Sequence, residues 1–518
     1  MVPAESATPL VSRRDAALAG IAAAAVALGA AELIAGLLPG APSPIIAVGD
    51  LVIALQPPGA KQLVVDLFGL ADKLILNLVV IVVALAAAAG IGIASRTRPA
   101  LATWGITAFG LLALGAGLRD PLADPILAIV VATAASVIAW VMLRWLLALA
   151  ARRMRPPVAE MPAWGRRRFL GTSIAAIGVA AAGGLVGRTL LAQAREGAVP
   201  QTGALPTPDA TAPPVPSGAS LDVEGITPLV TATERFYRID TALLVPRPRL
   251  DTWRLAVTGM VDNPFELTYD ELVALPLIEQ YVTIACVSNE VGGDLVGNAL
   301  WRGVRLKQLL ERAGVAPDAT QIVGRSVDGF TVGFPTVHAL AEEREPMVAV
   351  GMNSEPLPAN HGFPARLIVP GLFGYVSATK WLTEINLTTL DAFDAYWVPL
   401  GWAKQGPILT QSRIDVPRSG ASLTAGPTAV AGVAWAPDRG ISRVEVQVDD
   451  GDWASAELSV PISDATWVQW LYRWDAGAGD HTLRVRATDG DGEVQEERRT
   501  PPPPDGARGY HTIDVAVA

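Results

Sequence analysis

The chain has 518 residues, 51% of them hydrophobic, and a formal net charge of −10. That length allows two or three domains, and that hydrophobicity excludes a purely soluble protein, so part of the chain belongs in lipid. No segment interleaves clustered Lys and Arg with aromatics, which leaves nucleic-acid binding without support.

Five apolar runs come first, at 16–38, 75–94, 101–118, 126–149 and 170–191, each near the ~20 residues that cross a ~30 Å hydrocarbon core. They predict five transmembrane helices. The run at 45–55 is shorter and ends at Pro57 and Pro58, which predicts an interfacial or re-entrant piece instead of a sixth span. Arg13 and Arg14 precede the first helix, and Arg96 and Arg98 separate the second from the third. Arg152, Arg153, Arg155, Arg166, Arg167 and Arg168 separate the fourth from the fifth. Positive-inside placement makes these segments cytoplasmic, with Lys61, Lys73 and Arg119 the main exceptions elsewhere. An odd number of passes then puts everything after Leu191 outside. The expectation is a multi-pass protein of the cytoplasmic (inner) membrane, in contact with lipid, whose later domains are extracytoplasmic.

The head of the fifth run, GRRRFLGTSIAAIGVAAAGG, admits two readings. Paired arginines before Phe-Leu and an Ala/Gly-rich stretch resemble a twin-arginine export signal, which carries folded domains. The same arginines serve equally as positive-inside anchors. All four histidines, His338, His361, His481 and His511, lie beyond the membrane half, and no Cys-x-x-Cys-His occurs, so no haem is expected there. Electrons must then pass through a separate partner, a cytochrome or a quinone. Between 196 and 228 Pro, Ala, Thr and Gly dominate, as expected of a semi-extended linker with nothing to build a core. The predicted organisation is a membrane domain at 1–195, this linker, a mixed domain at 229–410 and a last domain at 411–518.

In the third region TWRLAVTGM and YVTIACV read as strands, and LTYDELVALP as a short helix with Thr268 and Glu271 at capping-box spacing. Leu306, Leu309, Leu310 and Ala313 fall at helical spacing before Gly314 as the stop. The domain is therefore α+β. Its unusual residues begin with Cys286, the one cysteine in the chain, set among β-type residues beside a Gly-rich turn. That setting suits a working thiolate, and a buried inert cysteine is the plain alternative. Further on, His361, Arg366 and Lys380 occur with Gly371, Gly374 and Ser377 in a segment of Pro and apolar residues. Three cation-capable side chains with small neighbours suit an anionic, hydrogen-bonding ligand, although each alone fits a turn, a strand edge or a solvated surface. From Gly420 the period becomes two: Val444, Val446 and Val448 precede a turn at Asp449, Asp450 and Gly451, and Leu483, Val485 and Ala487 alternate with arginines. An all-β sandwich is expected.

Taken together, ACVSN, HGFPAR, VPGLFGY and TKWL, in this order, resemble motifs of the sulfite oxidase family of molybdenum enzymes, and the resemblance runs from about Phe236 to the C-terminus. It implies an N-terminal all-α transmembrane domain joined to an α+β sulfite-oxidase-like molybdopterin domain and a C-terminal immunoglobulin-like sandwich of the kind that mediates homodimer contacts. It also implies a molybdenum-molybdopterin cofactor, with Cys286 as thiolate ligand to the metal and His361, Arg366, Ser377 and Lys380 around the phosphate and pyranopterin. A soft thiolate and clustered cations fit those roles.

The family pattern breaks near the substrate. Where the family has Asn-Arg-Arg after the cysteine, this chain has Asn289, Glu290 and Val291. The family's Arg-Asn-His falls on Ile239, Asp240 and Thr241, with Arg238 displaced by one place. Its active-site tyrosine falls on Gly401 or Trp402, which leaves Tyr396 to supply a hydroxyl, and Arg508 stands in for a substrate arginine of the last domain. Arg238 and Asn289 are then the polar groups offered to substrate, in a pocket completed by Trp402, Tyr396 and Arg508. An acidic side chain at short range adds roughly a few kcal/mol to the cost of a dianion, so a sulfoxide or other neutral small molecule fits better than sulfite. Related periplasmic methionine sulfoxide reductases indicate that the fold can host reduction. Two alternatives stand beside this oxidoreductase: a true sulfite oxidase that uses Arg238 and Arg508, and a non-enzymatic, membrane-tethered binding module.

Overall fold

Runs of Ala, Leu, Val and Ile build the first helices of the computed structural model, which describes residues 11–56, 72–152, 164–196, 204–340 and 344–518. The chain divides into two units, Met1–Val199 with Ala242–Val245, and Pro200–Thr241 with Pro246–Ala518.

The first unit holds α1 (Arg13–Leu37), α2 (Pro44–Leu55), α3 (Asp72–Ala94), α4 (Pro99–Gly117), α5 (Pro125–Arg152) and α6 (Trp164–Glu196). Among the described residues five of these are long and apolar enough to cross a membrane. α2 has 12 residues, about 18 Å of helix, and is too short to span. Ser12 and Ser43 start α1 and α2 by accepting from the backbone N–H of Asp15 and Ile46 at 3.1 and 3.3 Å. In lipid no hydrophobic force separates helix from solvent, so close backbone approach does the packing. A Cβ on Gly36 of α1 would stand 2.3 Å from the Gly187 carbonyl oxygen, and one on Gly187 would stand 2.3 Å from that of Glu32. Beside this contact Glu32, 2% exposed, accepts from Ser43 at 2.6 Å and lies 3.5 Å from Arg188. α6, which carries the arginine-rich head, is thus an interlocked neighbour of α1. Of the charges used to orient the helices, Lys61, Arg153 and Arg155 lie outside the described residues.

The second unit begins with a strap, and here the linker expectation needs correction. The amides of Asp209 and Ala210 donate to the Leu277 carbonyl, Gly218 accepts from Val460 at 3.0 Å, and Ala219 is fully buried. Extended Pro-rich chain leaves its backbone groups unpaired, and strand edges can take them, so residues 204–228 lie along the unit instead of spanning a gap. Residues 197–203 lie outside the described set.

Two sheets follow. β1 (Leu255–Gly259), β2 (Phe265–Leu267), β5 (Gln321–Ser326), β6 (Thr331–Pro335) and β10 (Leu382–Thr388) run in the order β2-β1-β10-β5-β6. β3 (Leu277–Ala285), β4 (Val296–Arg305), β7 (Met347–Met352) and β8 (Glu355–Pro356) form the other, with β9 (Arg366–Ile368) on β7. The capping box forms as its spacing predicts, with Thr268 and Glu271 closing α7 (Tyr269–Val273). α8 (Leu306–Ala313) buries its four apolar positions and stops at Gly314 in the left-handed region.

From β11 (Gln411–Val416) onward the chain is all strand: β12 (Ser422–Leu423), β13 (Gly426–Trp435), β14 (Ile441–Val448), β15 (Ala454–Ser455), β16 (Glu457–Leu458), β17 (Val468–Ala476), β18 (Gly479–Asp489) and β19 (His511–Val517). The sheets β11-β13-β17-β16 and β12-β19-β18-β14-β15 enclose one core containing Val444, Val446, Trp470, Leu483 and Val485. β18 alternates as expected from Leu483 to Ala487, whereas in β14 Glu445 is buried between Val444 and Val446 and accepts from Arg486 at 2.9 Å; the turn follows Val448 with Asp449 at φ 52°.

Trp467 ties the two halves of this unit together. It is 1% exposed, its indole donates to the Leu229 carbonyl at 2.8 Å, and its amide donates to the Thr283 hydroxyl at 2.8 Å. Trp467→Ala is therefore expected to destabilise the unit by about 3–5 kcal/mol, with Trp467→Phe costing less. Chemical denaturation checks this, and a loss below about 1 kcal/mol would contradict it.

Candidate functional site

β3 delivers the chain into the Cys286 turn. The Cys286 amide donates to Leu295 at 2.9 Å, and the Asn289 side chain accepts from the Leu295 amide at 2.8 Å, so Asn289 closes this turn. The sandwich braces the same turn: Arg413 donates to the Gly293 carbonyl at 2.7 Å, and a Cβ on Gly292 would meet the His511 ring at 2.3 Å. Burial first, and the Arg413 charge second, lower the His511 pKa to about 4. An unfolded histidine takes its proton near pH 6.5, so stability contributed here is full above that pH and is lost as pH falls towards 4. The expected loss is about 2–3 kcal/mol, and a His511→Gln variant should show a flatter stability profile between pH 6.5 and 4.

The second group comes from the turn before β9 and the segment before β10. Arg366 is 3% exposed, donates to the His361 carbonyl at 3.0 Å and lies 5.0 Å over the Trp301 ring. Burial lowers its pKa to about 10. Its Nε has no hydrogen-bond partner among the described residues, and neither has Nδ1 of His361. The other ring nitrogen of His361 lies 3.0 Å from the Thr233 carbonyl; burial, then Arg366 and Lys380, lower this histidine to about 4. Lys380 is 8% exposed and donates to Asp240 at 3.2 Å and to the Asn360 carbonyl at 3.1 Å. Burial brings its pKa down to about 8 against the opposing effect of Asp240.

Cys286, Arg366, Lys380 and Trp402 line one cavity, and Tyr237, Asp240 and Asp328 line it with them. Burial, followed by the neighbouring Cys286, raises the Tyr237 hydroxyl pKa, and burial also raises that of Asp328. The remaining sequence-predicted residues lie elsewhere. His361 sits behind Arg366. Ser377 donates to the Leu372 and Phe373 carbonyls at 3.2 and 3.0 Å, tying its own turn. Arg238 has a side chain 40% exposed and paired with Asp240 at 3.0 Å, so it reaches the cavity through that carboxylate. Tyr396 packs on Phe330 and Trp397, and Arg508 is held by Asp505 at 2.8 Å and Glu496 at 3.1 Å. Asp328 carried no sequence signal, and Tyr237 stood in the stretch FYRID without being singled out. Asp240 stood in a recognised stretch, but its partner is 140 residues away.

A thiol-bearing turn and two buried cations, one of them Arg366 with an unmatched Nε among the described residues, suit a ligand that carries both an anion and a soft metal. Comparison with known proteins agrees. Residues 242–397 match the family described as "Oxidoreductase molybdopterin binding domain". Mitochondrial sulfite oxidase of Mus musculus is 28% identical over 307 residues, covering 50% of this chain and 56% of that protein. The uncharacterized oxidoreductase YuiH of Bacillus subtilis (strain 168) is 34% identical over 154 residues, covering 30% of this chain and 74% of that protein. Among solved structures, the sulfane dehydrogenase SoxCD from Paracoccus pantotrophus aligns with a TM-score of 0.49 at 22% identity, over 55% of this chain and 81% of that one. The chain spans about half the length of the mitochondrial sulfite oxidases that it matches. With a relative matched over most of its length and the molybdopterin domain matched in sequence, the chain belongs to the sulfite oxidase family of molybdopterin-dependent oxidoreductases, whose cofactor is molybdenum-molybdopterin.

Proposed function

We propose that this chain is a membrane-anchored molybdopterin oxidoreductase that performs two-electron or oxygen-atom transfer on a small extracytoplasmic substrate. The observation that carries the reading is the meeting of the chain's one cysteine with Arg366 and Lys380 in a single cavity. Cys286 would ligate the metal, and Arg366 and Lys380 would offset the cofactor's anionic groups, with His361 fixing Arg366 from behind. The cofactor, when bound, supplies exchange between molybdenum +6 and +4. The protein's own part is to hold it, exclude water and orient the substrate. Asp240, shared between Lys380 and Arg238, holds the Lys380 ammonium in place and draws Arg238 to the cavity edge.

Five apolar helices support the anchor, and the arginine pattern supports an extracytoplasmic catalytic unit. Arg166, Arg167 and Arg168 at the head of α6 fit both an export signal and an anchor. The immunoglobulin-like reading of the sandwich supports a homodimer contact, and the electron partner is a cytochrome or quinone.

An altered pocket separates this chain from sulfite oxidation. Among the described residues Arg366 is the single arginine in the lining, and in this reading its remaining donor, Nε, serves the cofactor. An uncharged or cationic substrate is expected in place of a dianion. Purified protein should reduce a dialkyl sulfoxide with a viologen donor faster than it oxidises sulfite with ferricyanide. Faster sulfite oxidation, lost in Arg508→Ala, would favour the rearranged-arginine reading.

A further inference from the structure

We infer that the cavity selects a substrate bearing a methylated ammonium or sulfonium group, received by the aromatic faces of Tyr375, Trp397 and Trp402; this rests on the molybdopterin reading of the same cavity. The three rings adjoin one another along its wall. Tyr375 and Trp402 lie 5.9 Å apart with planes at 50°, and Trp402 and Trp397 lie 6.3 Å apart at 76°. The Tyr375 hydroxyl donates to the Ala403 carbonyl at 2.7 Å, and the turn that carries both tryptophans is closed by the Trp402 amide donating to the Trp397 carbonyl at 3.2 Å. Three adjoining rings on one wall, with the Tyr375 hydroxyl turned to backbone, give that wall aromatic surface of the kind that receives methylated cations.

Charge in the lining favours the same class. Its two cations, Arg366 and Lys380, already donate to His361, Asn360 and Asp240, while Asp240 and Asp328 bring two carboxyl groups. With the free Nε of Arg366 given to the cofactor in this reading, a dianion meets no second arginine among the described lining residues, whereas an onium group meets aromatic surface beside Asp328. The plain alternative is that the rings serve packing alone, since Trp397 and Trp402 also touch the main core.

Binding of tetramethylammonium to the loaded, detergent-solubilised protein, followed by calorimetry and tryptophan fluorescence, tests the inference. The probes for comparison are sulfate and the neutral isostere 3,3-dimethyl-1-butanol. Saturable tetramethylammonium binding at least tenfold tighter than either is expected, weakened at least tenfold in Trp402→Leu and Asp328→Asn and retained in Trp402→Phe. Sulfate binding more tightly, or the neutral isostere binding equally well, overturns the inference. Molybdenum and pterin measured on the same sample separate the two failures. About one of each per chain without tetramethylammonium binding removes only the substrate class, and absence of both removes the cofactor reading and this inference with it.

Discussion

Replacing Arg366 by Met is expected to stabilise the cofactor-free protein and at the same time to empty the loaded protein of pterin. The two effects have one cause. Arg366 is a buried cation whose Nε has no partner among the described residues, so the cofactor-free site carries a desolvation cost that its bond to His361 only partly offsets. A buried charge replaced by a hydrophobe of similar volume is often neutral or stabilising by about 1–4 kcal/mol. Here the lost bond to His361 and the lost contact with Trp301 offset part of that, so a gain of about 1 kcal/mol is expected. When the cofactor is bound, its anionic group loses a charge-assisted partner worth roughly 2–3 kcal/mol, which lowers retention by about a hundredfold. The denaturation midpoint of protein from a host without molybdopterin, and pterin fluorescence of protein from a competent host, read the two effects separately. Full pterin retention would show that Arg366 does not face the cofactor.

Cys286→Ser should do the reverse, leaving pterin in place and removing the metal-centred redox behaviour. Serine is close in size, and Cys286 is 9% exposed in a turn held by backbone bonds and Asn289, so the fold should lose little. Loss of a hard-to-replace soft ligand is expected to lower turnover by on the order of 100-fold or more. Turnover and the electron paramagnetic signature of the half-reduced metal are the measurements. An unchanged signature in the serine variant would remove Cys286 from the metal.

What the chain disclosed by local pattern was fold. Apolar length gave the five helices, Thr268 and Glu271 gave a cap, and two-residue alternation gave the strands of the last domain. The candidate site was legible where a residue is unusual in itself, as Cys286 is, or where several motifs fall in order, as around His361, Arg366 and Lys380. It was illegible where pairing crosses the chain. Nothing local reveals that Lys380 meets Asp240, or that Trp397 and Trp402 fold back on Tyr375. Arg508 looked available because sequence does not show Asp505 and Glu496 closing on it. The strap at 204–228 was misread for a related reason. Its composition speaks against a core of its own, and is silent on strand edges supplied by distant segments.

The central claim is tested most directly by the molybdenum and pterin content of the detergent-solubilised protein made in a host competent for molybdopterin synthesis. The account predicts about one molybdenum and one pterin per chain, with pterin lost in Arg366→Met and retained in Cys286→Ser. Well-folded protein that carries neither metal nor pterin would contradict it and would leave a membrane-tethered binding module as the better description.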